Sequence, residues 1–359
     1  MISYRLAALR SFMDDKKVNV FIIKNPVNLH YFSGFRGDSS VLIISHKRSI
    51  LVTDGRYMEQ AAKEAPKFEI VRQEEGLWKK VCETLNEIGL RSIGVEGNYI
   101  TVNEFNHIKE QASKLRLTPL IPDTIRQVKD ETEIANIERA CEIADKAFDD
   151  IVKFIKPGLR EYEVAARLEQ TMRQLGSEKP AFDTIVASGI RSSMPHGRAT
   201  DKVIRAGEFV TMDFGAIYNG YNSDITRTVF VGRPNEKHQR LYSAVLRAQY
   251  LGLKTIKAGL LGKDIDAVVR ADLEQEGFAQ FFSHGLGHGV GLEIHEEPRL
   301  SKTSTSEALK SGMIVTDEPG VYIADFGGVR IEDTVLVTDG EARPLTKSPK
   351  HLILIRNDE

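Results

Sequence analysis

The stretch VTMDFGAIYNGYNSDITRTVFVG, residues 210–232, carries the strongest structural signal in this chain. Asn219-Gly220 lies between two apolar segments and is the strongest short-range indication of a β-hairpin with a type I′ turn. If these two residues form the turn, Tyr218 faces Tyr221 and the pairing continues outward along both strands. The sequence therefore predicts a long antiparallel hairpin.

Two aspartates lie on one face of this predicted hairpin. In the same register Gly215 faces Asp224, and Asp213 lies two residues further out, so both carboxylates share a face because strand side chains alternate. They are diagonal neighbours with Cβ atoms at most about 7–8 Å apart. Like charges at this range on an apolar strand pair repel each other unless a cation lies between them. The alternative is that both aspartates face solvent.

A second hairpin repeats this arrangement in VTDEPGVYIADFGGVRIEDTVLV, residues 315–337. Glu318 and Glu332 are equally distant in sequence from Asp325 in the turn region, so they can face each other across a strand pair. Buried carboxylates cost several kcal/mol each unless they are paired or bind a metal. Either hairpin alone is weak evidence for a site.

The segment HGLGHGVGLEIHE, residues 284–296, supplies histidines. His284 and His288 have helical i,i+4 spacing, but the interspersed glycines oppose a helix at about 1 kcal/mol each relative to alanine. We expect an extended segment beside a metal site, whereas each histidine taken alone is more often structural. Four acids and at least one imidazole together form the ligand complement of a carboxylate-bridged pair of divalent ions.

Composition is that of an ordinary globular protein, with 41% hydrophobic and 28% charged residues. At 359 residues the chain exceeds the usual size of one hydrophobic core, so two domains are expected. The formal charge of -2 gives no electrostatic basis for binding nucleic acid or an anionic membrane. The cytoplasm is the expected location, because the two cysteines are far apart and neither a signal peptide nor an apolar stretch of about 18 residues is found.

The apolar pattern divides the chain into residues 1–125 and 126–359. In the N-terminal region short strands alternate with helices, which predicts a small α/β domain with strands at 18–25, 40–45, 49–55, 68–73 and 92–97 and helices at 75–89 and 101–113. The C-terminal region contains a pair of helices followed by β-rich sequence, and then the same order again, which predicts an α+β domain with helices on a curved antiparallel sheet. The predicted helices are 131–155, 160–175, 235–257 and 262–277, and the β regions are 183–232 and 280 onward.

Four segments, MDFGAIYNGYNSDITRT, HGLGHGVGLEIHE, TDEPGVY and GGVRIEDT, resemble the metallopeptidase family with the pita-bread fold, which includes methionine aminopeptidase, aminopeptidase P and prolidase. In the first 125 residues, NPVNLHYFSGFRGDSSVLII and LVTDGRY are similar to the N-terminal domain of creatinase, prolidase and aminopeptidase P. Methionine aminopeptidases generally lack that domain. The resemblance covers nearly the whole chain and implies the Xaa-Pro branch.

The resemblance also implies a site, assembled from the matching positions of this sequence. The implied metal ligands are all intact: Asp213, Asp224, His288, Glu318 and Glu332. The residues implied around the substrate are His196, His284, His295, Arg299 and Arg330. Of these, Arg299 matches an arginine that prolidases place near the carboxylate end of the substrate.

This ligand set implies a hydrolytic chemistry. Two divalent ions about 3.5–4 Å apart share a water, lower its pKa and direct the resulting hydroxide at the scissile carbonyl. By analogy Glu318 is the general base and acid, while His295 and His196 donate hydrogen bonds to substrate oxygens. Four oxygen ligands and one nitrogen favour Mn²⁺, with Co²⁺, Zn²⁺ or Fe²⁺ as alternatives. The expected substrates are small peptides with proline in the second position.

Several alternatives stay open at this point. Prolidases cleave dipeptides and aminopeptidase P cleaves longer peptides, and Arg299 favours dipeptides. A non-hydrolytic pita-bread binding protein and a creatinase-like C–N hydrolase without metal are disfavoured by the intact ligand set. A homodimer is also expected, in which Arg36 or Asp38, in a turn between strands, contacts the partner chain.

Overall fold

The computed structural model describes residues 1–111 and 114–356, so the last two residues of the predicted helix 101–113 lie outside the described residues. The chain forms two compact units, Met1–Arg126 and Gln127–Glu359. Each unit has its own sheets and its own core.

The first unit is an α/β domain with one six-stranded mixed sheet. Its strands are β1 (Val20–Ile23), β2 (Val41–Ser45), β3 (Ser49–Thr53), β4 (Glu69–Arg72), β5 (Ser92–Glu96) and β6 (Arg116–Leu120). Its helices are α1 (Ile2–Asp15), α2 (Pro26–Ser33), α3 (Met58–Glu64), α4 (Leu77–Ile88) and α5 (Val102–Gln111). The sheet order is β4-β3-β2-β1-β5-β6, and the central strands are apolar runs that are buried on both faces.

Helices α1, α2 and α3 are not predicted by the sequence pattern. Helix α2 is only eight residues long, which is too short for a clear 3.6-residue repeat. It begins at Pro26, a favourable first helical residue, behind Asn25, whose side chain accepts a hydrogen bond from the backbone N–H of Val27. The segment 34–40 consequently joins a helix to a strand, and the prediction of a turn between two strands is wrong.

The second unit is an α+β domain in which helices cover antiparallel strand pairs. Its helices are α6 (Glu131–Phe154), α7 (Glu161–Gln174), α8 (Glu236–Thr255) and α9 (Gly262–Gln275). Its strands are β7 (Ile185–Ser188), β8 (Glu208–Phe214), β9 (Ile217–Tyr218), β10 (Tyr221–Asn222), β11 (Ile225–Val231), β12 (Gly287–Gly289), β13 (Glu296–Leu300), β14 (Ile314–Asp317), β15 (Gly320–Ile323), β16 (Gly327–Arg330), β17 (Asp333–Leu336), β18 (Arg343–Pro344) and β19 (Leu354–Ile355).

These strands form two main sheets with the orders β19-β11-β8-β7 and β13-β12-β14-β17-β18, and β9–β10 and β15–β16 form two-stranded ribbons. Helices α6 and α7 bury their apolar stripes with the first sheet, where Phe148 and Val210 belong to one core. Helices α8 and α9 do the same with the second sheet, where Val245 and Val335 belong to another core. Each predicted helix pair therefore covers the β-rich sequence that follows it.

The β-rich region 183–232 is less regular than predicted. After β7 the chain turns into a 3₁₀ helix, Gly189–Ser193, and residues 194–207 make only single β-bridges. This irregular segment returns to the sheet at β8.

Candidate metal centre

The first hairpin has the predicted register. Asn219 and Gly220 have φ angles of 50° and 82°, as a type I′ turn requires. Strands β9 and β10 pair next to this turn, and further out Asp213 pairs with Thr226. Asp213 and Asp224 are therefore diagonal neighbours on one face, as the alternation of side chains indicates.

The second hairpin brings the two glutamates together. Strand pairs β14–β17 and β15–β16 share one continuous register, and Glu318 and Glu332 lie opposite each other in the gap between these pairs. Proline follows Glu318, so the strand is interrupted there. The interruption leaves both glutamates free to turn out of the ladder.

Strand β12 carries His288 between two glycines and pairs with both β13 and β14. A Cβ atom added at Gly287 would lie 2.1 Å from the carbonyl oxygen of Thr316, and one at Gly289 would lie 2.4 Å from that of Glu297. Glycine is therefore needed for the close approach of three strands. The segment is extended, as predicted, and not helical.

A single cavity of about 730 Å³ collects every site residue that the sequence predicts. The lining residues include Asp213, Asp224, His288, Glu318, Glu332, His196, His284, His295, Arg299 and Arg330. The tightest group is Asp224, His288 and Glu332, each of which offers one ligand atom within 4.8 Å of the other two. All three side chains are buried.

The contacts of His288 suit a cation at its outer nitrogen. Nδ1 lies 3.0 Å from the carbonyl oxygen of Gly289, which can only accept, so Nδ1 carries the ring proton. In the neutral ring Nε2 then presents a lone pair. This nitrogen lies 3.3 Å from Oε1 of Glu318 and 3.6 Å from Oδ2 of Asp224, which are acceptors as well. Either a proton on Nε2 or a bound metal ion must therefore lie between the ring nitrogen and these oxygens.

The carboxylates give the same indication. Burial and the neighbouring carboxylates raise the pKa values of Asp224 and Glu332 well above their ordinary range. Asp213 is held at Oδ2 by Arg330 at 2.6 Å, yet its Oδ1 is buried with no hydrogen-bond partner. Buried polar atoms without partners are rare in proteins. The residues present therefore fit divalent metal ions, which carboxylate and imidazole ligands would hold.

Two threonines orient the glutamates in the same way, and sequence reasoning missed both. The hydroxyl of Thr226 accepts from Nε of Arg330 and donates to Oε2 of Glu332 at 2.6 Å. The hydroxyl of Thr316 accepts from the backbone N–H of His288 and donates to Oε1 of Glu318 at 3.0 Å. Each threonine lies two residues from a predicted ligand, Thr226 from Asp224 and Thr316 from Glu318, so period-two alternation carried a usable signal.

Tyr322 is another residue that sequence reasoning missed. Its hydroxyl lies 2.7 Å from Nη1 of Arg330 and 2.8 Å from Nε2 of His284. Arginine only donates, so the tyrosine proton points to His284. His284 therefore accepts at Nε2 and donates from Nδ1 to the carbonyl oxygen of Gly285, 2.8 Å away. Burial raises the pKa of Tyr322 to about 12, which keeps this chain of donors fixed at neutral pH.

The remaining predicted residues line the cavity around the buried cluster. The ring centroid of His295 lies 4.4 Å from that of His288. Burial, with His288 and Arg299 nearby, lowers the pKa of His295 to about 4, so this ring is neutral at pH 7. His295, His196 and Arg299 all keep exposed surface and line the cavity, and Arg299 lies 4.0 Å from Glu297.

Comparison with known proteins places this geometry in a family. The sequence profile of metallopeptidase family M24 matches residues 135–339, which include every residue of the cluster. The chain belongs to metallopeptidase family M24. The profile of the creatinase/prolidase N-terminal domain matches residues 5–128 of this M24 peptidase.

Relatives of this M24 peptidase match it over nearly its full length. An Xaa-Pro dipeptidase of Pyrococcus furiosus is 43% identical over 353 residues, which cover 97% of this chain and 99% of that protein. A solved structure of an Xaa-Pro dipeptidase from Bacillus anthracis has a TM-score of 0.96 at 42% identity and covers 99% of this chain and 100% of its own. An X-Pro aminopeptidase from Thermotoga maritima has a TM-score of 0.89 at 38% identity, covering 94% and 98%.

These similarities establish the pita-bread fold with a creatinase-like N-terminal domain. They also establish a metal-dependent peptidase, in agreement with the ligand atoms that the cluster presents. Within the described residues, none of the helices combines the length and the apolar character needed to cross a membrane.

Proposed function

We propose that this M24 peptidase hydrolyses the bond between an N-terminal residue and proline in small peptides. The observation that carries the proposal is the buried group of Asp224, His288 and Glu332, whose ligand atoms lie within 4.8 Å of one another, with Nε2 of His288 also facing Glu318. The relatives named Xaa-Pro dipeptidase and X-Pro aminopeptidase support the choice of substrate.

Two divalent ions per subunit would be held by the predicted ligands, which are Asp213, Asp224, His288, Glu318 and Glu332. The oxygen-rich donor set favours Mn²⁺, with Co²⁺, Zn²⁺ and Fe²⁺ as alternatives. When bound, such ions supply Lewis acidity and bring the pKa of water close to neutrality.

The residues of the chain itself position the substrate and move its protons. Glu318 takes the proton of the attacking water and returns it to the leaving nitrogen, with one oxygen held by Thr316. His295, neutral at pH 7, donates one N–H to a substrate oxygen. His196 donates a hydrogen bond to the carbonyl oxygen of the next residue of the substrate. Both nitrogens of His284 are engaged with protein groups, so this residue acts by holding Tyr322 in place.

Selection for proline follows from the amide and from the cavity wall. The bond before proline is a tertiary amide that has no N–H to donate. The same cavity is lined by Phe182, Ile185, Pro195 and Ile294, which offer an apolar surface to the ring. Arg299 lies in this lining and supplies a cation for a nearby carboxylate, which favours dipeptides.

Hydrolysis of a peptide panel tests this proposal. Xaa-Pro, Xaa-Ala and Xaa-Pro-Yaa-Yaa peptides are incubated with Mn²⁺ and with EDTA. We expect cleavage of the proline peptides only, fastest for the dipeptide and abolished by EDTA. Cleavage of Xaa-Ala at the same rate overturns the specificity, and activity that survives complete chelation overturns the metal-dependent mechanism. Activity and metal analysis of Asp213→Asn test the alternative of a non-hydrolytic binding protein, because full function and full metal content in this variant overturn the metallopeptidase proposal.

A further inference from the structure

The segment of residues 188–200, here named the His196 loop, brings Pro195, His196 and Arg198 to the cavity wall. It leaves the sheet at the end of β7 and contains the 3₁₀ helix Gly189–Ser193. It has few strand pairs of its own to hold it, namely single bridges such as Ile185–Arg198. Its position must therefore be set largely by side-chain contacts.

One buried carboxylate holds both ends of this loop. Glu161, the first residue of α7, is 0% exposed. Its Oε1 accepts from the backbone N–H of Ser188 at 2.8 Å and from its hydroxyl at 2.9 Å. Its Oε2 accepts from the backbone N–H of Thr200 at 3.1 Å and from its hydroxyl at 2.8 Å. The two oxygens of a single side chain thus join the beginning and the end of the His196 loop.

The interior of the loop is tied to the same carboxylate and to the metal cluster. Arg191 donates from Nη1 to Glu161 and from Nη2 to the carbonyl oxygen of Arg198 at 2.9 Å. On the opposite side, Nη1 of Arg330 donates to the carbonyl oxygen of Pro195 at 3.2 Å. Because Arg330 also holds Asp213, this contact links the loop to the ligand cluster, and Oγ of Ser192 joins the loop to β16 by accepting from the backbone N–H of Gly328 at 2.8 Å.

The chemistry of these donors requires a carboxylate. An ionised carboxylate has two oxygens that only accept, whereas glutamine has one accepting oxygen and an NH₂ group that only donates. The single oxygen of glutamine at position 161 can therefore accept from the backbone N–H group at one end of the loop, and the N–H group at the other end loses its acceptor. The buried N–H groups left behind would have to move to find other partners.

We propose that Glu161 is a positioning residue that fixes His196 in the cavity through its hydrogen bonds to Ser188 and Thr200 at the two ends of the His196 loop. These hydrogen bonds are named the clasp. This inference rests on the proposed function, since His196 matters only if a substrate oxygen is bound there. The metal ligands come from other strands, so the clasp acts on the substrate side of the site and leaves metal binding unchanged.

Steady-state kinetics of Glu161→Gln on an Xaa-Pro dipeptide, with Mn²⁺, tests the proposal. We expect kcat/KM to fall about 10–100-fold, because displacement of a positioned group by about 1 Å has that effect. The metal content, measured on the same sample, stays at the wild-type value. The matched control is Glu163→Gln, which removes a carboxylate that caps the same helix at the N–H of Arg160 and does not contact the loop. This control keeps wild-type kcat/KM.

A double-mutant cycle with His196→Ala distinguishes positioning from general loss of structure. If Glu161 acts through His196, Glu161→Gln has little further effect on kcat/KM in the His196→Ala background. Full additivity of the two losses, or loss of bound metal in Glu161→Gln alone, overturns the inference.

Limited trypsin digestion gives a readout that does not depend on activity. Opening of the clasp exposes the bonds after Arg191 and Arg198, so we expect faster cleavage there in Glu161→Gln than in Glu163→Gln, with other sites unchanged. Thr200→Val removes one hydroxyl donor and keeps the fold. In this variant we expect cleavage at the same two bonds, faster than in the wild type but slower than in Glu161→Gln. Equal cleavage rates in all variants contradict the clasp. If the wild type cleaves no Xaa-Pro peptide, the proposed function fails while this digestion still tests the clasp.

Discussion

Asp224→Asn is expected to make the metal-free protein more stable than the wild type and to reduce the stabilisation that bound metal gives. Asp224 is 4% exposed and Glu332 is 1% exposed, and one oxygen of each lies within 4.8 Å of the other. At an effective dielectric constant of about 20, two full charges at that separation repel each other by about 3 kcal/mol. Asparagine keeps the shape of the side chain and removes the charge.

Proton uptake relieves some of this repulsion in the metal-free wild type. Burial, with the other carboxylates, raises the pKa values of Asp224 and Glu332. We therefore expect Asp224→Asn to gain about 1–3 kcal/mol in free energy of unfolding without metal. A carboxyl group whose pKa is raised by folding binds more protons in the folded state, so metal-free wild-type stability falls as the pH rises above the unfolded pKa. The gain of the variant consequently increases with pH.

Bound metal stabilises the wild type more than the variant. A ligand that binds only the folded state at about one hundred times its Kd adds about 2.7 kcal/mol to the free energy of unfolding. Asp224→Asn replaces an anionic ligand with a neutral amide and is expected to retain less than about 1 kcal/mol of this gain.

Urea denaturation followed by far-ultraviolet circular dichroism, in EDTA and in millimolar MnCl₂, measures all four free energies of unfolding. The control is Asp183→Asn, which also removes a carboxylate from the cavity lining, but one that is 70% exposed and paired with Arg198. This control should change stability by less than about 0.5 kcal/mol in both solutions. The reasoning is refuted if Asp224→Asn is clearly less stable than the wild type in EDTA, or if Mn²⁺ stabilises both proteins equally.

Four further outcomes are expected. Burial raises the pKa of Glu96 to about 7, so this carboxyl group should contribute a fall of about 2–3 kcal/mol to the free energy of unfolding between about pH 4.5 and about pH 7; urea denaturation in EDTA should show a fall smaller by that amount in Glu96→Gln. Thr316→Val removes the hydrogen bond to Glu318 and should weaken metal binding about 10–100-fold in calorimetric titration, with the fold unchanged. Gly252→Ala would place a Cβ atom 2.2 Å from Oδ1 of the buried Asp317, so Tm should drop although alanine favours a helix by about 1 kcal/mol. Sedimentation velocity should show a homodimer, and a monomer with normal hydrolysis contradicts that expectation.

The elements of the fold that sequence reasoning predicted are those with a local repeat. The long helices α6 and α8 have apolar stripes over several turns and begin at capping boxes, at Asp130 and Asn235. The hairpin at Asn219 was predicted down to its register because its turn type allows only one pairing. Helix α2 has a cap at Asn25 but neither a capping box nor an apolar stripe over several turns, since it is short and largely buried. Tertiary packing decides its conformation.

The candidate site was predictable for a similar reason. Alternation along a strand places residues i and i+2 on one face, so the acids of each hairpin had to share a face once that hairpin formed. That the two hairpins meet at one site followed from the family resemblance. The direction of each proton was not predictable. That His288 turns Nε2 to the cluster depends on the contact of Nδ1 with the carbonyl group of Gly289, whose orientation belongs to the backbone conformation and not to the residue type.

Contacts between distant segments set the limit of sequence reasoning in this protein. Glu161 stands in the first turn of a helix, where an acidic residue is sufficiently explained by the favourable interaction with the helix dipole. In the structure its partners Ser188 and Thr200 are 27 and 39 residues further along the chain. No periodicity connects positions so far apart, because the connection exists only after α7 has packed against β7 and the loop has closed. A residue that a sequence pattern explains completely by local helix chemistry can therefore still hold the substrate side of an active site.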